Sequence, residues 1–122
     1  MPPTIEMPEP REPVEGRLVG HLTRTQLEQV LDGIAAQLQA NVATPVLLDC
    51  SAMAGYDLDA RHAFVDWNKQ FKAQVSRVAV VTPNRLYHLV IATMSLASGQ
   101  AMKGFAAHDE AVVWARTGQT AA

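Results

Sequence analysis

One cysteine, Cys50, is all that this chain of 122 residues contains. An intramolecular disulfide is thereby excluded, and a lone thiol fits a reducing, cytoplasmic compartment. No apolar run approaches the length of a membrane span or a secretory core, so neither stable membrane insertion nor export is expected. Ten Lys+Arg against twelve Asp+Glu leave a net charge of −2. The basic residues form no cluster, which argues against a nucleic-acid or anionic-surface partner. Also missing are a G-x-S-x-G elbow, a P-loop, G-x-G-x-x-G and H-E-x-x-H. His21, His62, His88 and His108 are spread along the chain without ligand spacing, so no metal site is expected and nothing asks for a cofactor. Proline is scarce after residue 13, since five of the seven (Pro2, Pro3, Pro8, Pro10, Pro13) precede it. Residues 1–13 therefore read as an extended arm, either a plain tail or a docking segment, in which Thr4–Met7 could add an edge strand.

What is present is ordinary globular composition, 48% hydrophobic and 18% charged, enough for one domain with its own core. Val46-Leu47-Leu48 is too short for a helix and has no polar alternation, so it reads as a strand covered on both faces. Val78-Ala79-Val80-Val81 repeats the pattern after a helical stretch, which implies a right-handed βαβ unit with parallel neighbours. Val14–Leu22 alternates with Val14, Leu18 and Leu22 on one face and Arg17, Val19 and His21 on a wetter one. Met102–Phe105 supplies a fourth short strand. The fold class is α/β, with a single open, mostly parallel or mixed sheet of four to five strands and about four helices. The domain spans 14–117, and 118–122 is a loose tail.

The first helix opens on a capping box, Thr23 with Gln26, and carries Leu27, Val30, Leu31, Ile34 and Leu38 to about Ala40. Gly33 weakens it. A strand over Val46–Cys50 leads into a loop, Ser51 onward, and Asp57 or Asp59 caps a second helix reaching about Ala73. That helix has Ala60, Ala63, Phe64, Trp67 and Phe71 on one stripe. Asn84 starts a third helix, Leu86–Ala97, which Gly99 ends. Tyr87, Val90, Ile91 and Met94 make its core stripe, while Leu86, Leu89, Thr93 and Leu96 make a second apolar face. A helix apolar nearly all round needs cover on two sides: a second copy, a protein partner, an apolar ligand, the N-terminal arm or the last helix. That last helix has His108-Asp109-Glu110 in its first turn and packs Ala111, Val112 and Trp114 inward.

Three stretches carry a family resemblance: G-H-L-T-R-T-Q-L at Gly20–Leu27, L-L-D-C-S-A-M at Leu47–Met53, and R-V-A-V-V at Arg77–Val81 followed by F-A-A-H-D-E-A-V-V-W at Phe105–Trp114. In order and spacing over Val14–Ala115 they resemble the STAS-like domain of bacterial anti-sigma-factor antagonists and sulfate transporters, and within it the SpoIIAA-like branch. The resemblance implies a non-enzymatic regulatory module that works through protein contacts. Phosphorylatable antagonists carry Asp-Ser-Ser/Thr-Gly at the start of the second helix. Laid on this chain without gaps, that signature falls on Asp57-Leu58-Asp59-Ala60, so the phosphoacceptor hydroxyl is replaced by Asp59. Phosphate would bring nearly two charges there, whereas Asp59 brings one that cannot be switched. Asp59 either holds a binding surface in one state or serves only as a helix cap.

In open α/β sheets the binding loops lie at the carboxyl ends of the strands. The expected partner surface is therefore Ser51, Tyr56, Asp57, Leu58, Asp59 and Arg61, with Tyr56 and Leu58 as exposed anchors. The alternative is an apolar small molecule or lipid held by Leu86, Leu89, Thr93 and Leu96 together with the Phe64/Trp67 helix. A homodimer through the same helix is a further possibility. Catalysis is the weakest reading. Cys50 sits beside Asp49, which raises its thiol pKa, and is expected to be a small core residue. Asp57 and Asp59 would need a third group across the loop to act as acid and base.

Overall fold

In a computed structural model, which describes residues 11–120, helices and strands alternate without exception. The order is β1 (Val14–Leu22), α1 (Arg24–Ala35), β2 (Thr44–Tyr56), α2 (Leu58–Gln70), β3 (Val75–Val81), α3 (Arg85–Ser98), β4 (Met102–Phe105) and α4 (His108–Thr117). Among the described residues there is one sheet of four strands, ordered β1-β2-β3-β4, and every neighbouring pair is parallel. Residues 46–50 and 78–81 lie in it side by side, as their apolar runs imply. The possible edge strand at Thr4–Met7 falls outside the described residues.

Right-handed crossovers between strands added in one direction must all pass over the same face. Accordingly α1, α2 and α3 share a core with Leu18, Val46, Leu48, Val78, Val80 and Met102. The alternate residues Leu47, Ala79, Val81 and Phe105 point the other way and are covered by Ala111, Trp114 and Ala115 of α4. One helix cannot cover four strands. It spans β2 to β4 and leaves the outer face of β1 to water, where Glu15, Arg17, Val19 and His21 are exposed.

Local signals place the elements. Thr23 accepts from the Gln26 N–H at 3.3 Å, and the Gln26 side chain accepts from the Thr23 N–H at 3.1 Å, which completes the capping box. Asn84 accepts from the Leu86 N–H at 2.9 Å to begin α3, and Gly99, at φ 71°, ends it.

Three boundaries differ from expectation. Helix α1 stops at Ala35 rather than near Ala40, because the N–H groups of Gln37 and Leu38 turn back to Ile34 and Ala35 in tighter bonds. The chain then reverses through a Gln39–Val42 bridge, although Leu38 still packs on the core. Helix α2 ends at Gln70, since Gln74 and Val75 both donate to the Phe71 carbonyl, and this brings β3 in at Val75. The largest difference is β2, which continues to Tyr56, so Ser51–Tyr56 is strand and not loop.

Two substitutions weigh burial against capping. Leu47 has no exposed surface. Leu47→Ala should cost about 2–5 kcal/mol, against about 1 kcal/mol for Thr23→Ala. Urea unfolding midpoints compare them, and equal losses would contradict the layered arrangement.

Candidate functional site

The extra length of β2 builds the site. Its last residue paired with β3 is Asp49, opposite Val81, after which Thr82 and Pro83 leave that ladder. Its pairing with β1 continues to Leu22 opposite Tyr56, and the Asp57 N–H donates to the Leu22 carbonyl at 2.9 Å to close it. A two-stranded ribbon thus overhangs the carboxyl edge of the sheet. The ribbon is irregular: register slips between Arg17 and Val19 and again between Gly20 and His21. Gly20, at φ 73°, takes a left-handed conformation that a side chain would resist; the extra residue at each slip lies in β2, so β1 keeps Leu18 and Leu22 on one buried face.

Beneath the overhang the sheet is missing and only side chains fill the space. They leave a partly open cavity of about 70 Å³, lined almost wholly by apolar atoms. Leu22, Cys50 and Met53 form the ribbon wall, and Leu48 and Val80 the floor. Ala60, Arg61 and Phe64 come from α2, and Val90, Ile91 and Met94 from α3. Tyr56 and Tyr87, which also line the cavity, meet edge to face with ring centroids 5.6 Å apart. Burial, with a smaller contribution from Asp49, pushes the Cys50 thiol up to about 12. It is a wall of the cavity, not a nucleophile.

The expected partner surface divides. Ser51 points to the opposite face, where its hydroxyl donates to Asp49 at 2.5 Å and its N–H at 3.0 Å. These two bonds, the hydroxyl first, hold the Asp49 carboxyl below its ordinary range. Tyr56 is half-buried by its packing on Tyr87, so it is not the exposed anchor expected. Leu58 is exposed as expected, at 60%. Asp57 takes the N-cap position of α2 but makes no capping bond. Its carboxylate instead accepts from His21 Nε2 at 2.7 Å, and His21 can cross to it because the facing residue is Gly55, where a Cβ would lie 3.1 Å from the ring. Both partners are about half exposed, so the pair positions the ribbon end more than it stabilises it. Asp59 is the second residue of α2, exposed in the first turn, so it interacts with the helix dipole without being the N-cap. Arg61 lines the cavity.

Leu86, Leu89, Thr93 and Leu96 do not line the cavity either. They stand on the outer face of α3, and the cavity is lined by that helix's core stripe instead. Only Thr93 joins a shallow groove, with Leu58, His62, Val65 and Asp66 of α2. Trp67 packs on Phe71, away from both. Helix α4 lies on the far side of the sheet, so it does not cover this face. The N-terminal arm, the other intramolecular cover considered, falls mostly outside the described residues. Among those residues no three His, Cys, Asp or Glu converge to hold a metal, and no helix is long and apolar enough to cross a membrane.

A parallel sheet of four strands with three crossover helices on one face and a fourth helix on the other is a STAS-like α/β arrangement. The SpoIIAA-like family model matches residues 14–116, and the chain belongs to that family. Among solved structures it is similar to an uncharacterized protein of the DUF3478 family with a SpoIIAA-like fold from Shewanella loihica PV-4. The TM-score is 0.67 at 20% identity, over 82% of this chain and 81% of that one. No curated protein matches the chain.

The thiol and carboxylate shifts each have a measurable consequence. With the thiol at about 12, roughly one molecule in ten thousand is thiolate at pH 8. Iodoacetamide should therefore label Cys50 only after urea unfolding, as read by mass spectrometry. Fast labelling of the native protein would place the thiol elsewhere. A depressed carboxyl contributes stability that is present above its ordinary pKa and is lost as pH falls through the folded value. Ser51→Ala should therefore destabilise at pH 7, and its gap to wild type should close in acid.

Proposed function

We propose that this protein is a non-enzymatic STAS-like regulatory module that acts through protein contact at the carboxyl edge of its sheet. The observation that carries this reading is the apolar cavity opening beside the exposed first turn of α2. Tyr56, Tyr87 and Arg61 are half-buried residues of its lining, and Leu58 and Asp59 are exposed in the same first turn of α2. A pocket of this kind accepts an apolar anchor side chain, the usual centre of binding energy in an interface, while the charged rim gives orientation. Asp59, where the resemblance would put a phosphoacceptor, keeps a fixed negative charge at the rim. The surface is then constitutive, not kinase-switched.

A second reading, a small apolar ligand, rests on the same cavity. Size decides against it as the first choice: an engineered cavity of about 150 Å³ holds one benzene, whereas this one is about 70 Å³. It fits a side chain or the end of a chain, not a whole lipid.

The test compares wild type with the variant Tyr56→Ala plus Leu58→Asp in affinity capture from the source cell, with circular dichroism to confirm that both are folded. The reading expects the captured proteins to be lost. Retention of all of them by the folded variant removes it, and co-purified lipid in native mass spectra would move the assignment to the second reading. Asp59→Asn separates partner contact from the helix-dipole interaction, because lower partner affinity at unchanged unfolding midpoint marks a contact residue.

A further inference from the structure

On the outer face of α3, Leu86 is 70% exposed, Leu89 67% and Leu96 87%, with Thr93 also exposed between them. The four positions are separated by three, four and three residues. That is the a-d-a-d spacing of a seam that packs against another helix, narrower than the stripe a helix turns to its own core. The core stripe of α3 is a different one, with Ile91 and Met94 buried.

We infer that this face pairs with the same face of a second copy, the two α3 helices running antiparallel about a two-fold axis. The spacing reads the same in both directions, so antiparallel pairing sets Leu86 of one copy opposite Leu96 of the other and Leu89 opposite Thr93. Such self-complementarity is what an isologous interface requires. Ala92 and Ala97 flank the seam, both small and exposed, and allow close approach of the helix axes.

Charge points the same way. Helix α3 contains no Asp or Glu, and its one Arg or Lys is Arg85 in the first turn. Antiparallel pairing brings Arg85 to the far end of the other copy's α3, where the carbonyl end of the helix dipole is negative. Parallel pairing would set the two Arg85 guanidinium groups side by side. Leu86, Leu89 and Leu96 make a contiguous exposed apolar patch of the kind found at interaction surfaces.

This pairing leaves the cavity mouth to a different partner, so the two readings fail separately. Analytical ultracentrifugation of the full chain over a range of concentrations should show twice the monomer mass. Leu89→Glu should return the monomer with an unchanged circular dichroism spectrum. Orientation is read by cross-linking, since the native thiol is buried. Mixed Leu86→Cys and Leu96→Cys proteins should form a disulfide with each other, while each alone stays unlinked. A monomer at every concentration overturns the inference, including one whose α3 face is taken by another protein. A disulfide of Leu86→Cys with itself overturns the antiparallel arrangement.

Discussion

The structure depends on a mismatch in strand length. Strands β2 and β3 pair in register up to Asp49 and Val81, and there β3 must stop, because Pro83 has no N–H to offer and Thr82 turns its backbone to other partners. The Thr82 carbonyl receives His88 Nε2 at 2.9 Å, and its N–H donates to the Phe105 carbonyl at 2.8 Å. Strand β2 meets no such stop and continues with β1 to Tyr56. The overhang, the cavity beneath it and the place where α2 begins all follow from that difference. A β2 that ended level with β3 would put Asp57–Arg61 against the core of the sheet edge and leave no pocket to frame.

Topology supplies the second constraint. Because successive strands add on one side only, all three crossover helices crowd one face, and the opposite face has a single helix to cover it. The result is an asymmetric molecule. One layer holds the large core and the cavity, and the other holds the smaller cluster around Trp114 together with an uncovered β1. The polar residues of that uncovered face find one another. Glu15 lies 3.1 Å from His108 Nε2, and Asp49 is held by Ser51. Ser51 is held to this face by its two bonds to Asp49, and no loop is present to swing it round to Tyr56.

How much was legible in the sequence follows from the range of the forces involved. Apolar runs, the Thr23–Gln26 box, Asn84 and Gly99 act within a few residues, and each marks its element in the structure. The length of β2 is a different matter. Residues 51–56 include Ala, Met, Ala and Gly, none of which reads as strand, and they are extended because β1 offers a partner. The clue was present in Gly20, whose left-handed conformation marks an irregular strand, but its meaning depends on a pairing that is not local. With the strand read as a loop, Ser51 and Tyr56 were grouped with residues from which the pleat and the Tyr87 ring separate them. The cavity was still harder to see, because its lining comes from both ribbon strands, the sheet, α2 and α3.

Helix α3 shows why the second apolar face could be read from sequence although its role could not. A core-facing stripe and a solvent-facing stripe look alike in composition, and the helix presents Ile91 and Met94 on one and Leu86, Leu89 and Leu96 on the other. The fold decides between them, since β4 and α2 occupy one side of α3 and nothing described occupies the other. Exposing three leucines in water gains nothing for a monomer's stability, and leucine is not needed there for helix formation, since alanine serves better. The residues at these positions are therefore not explained by the domain's own folding, whereas those around Phe64 and Ile91 are explained by the core. What sets α3 apart is the distribution of its apolar surface between inside and outside.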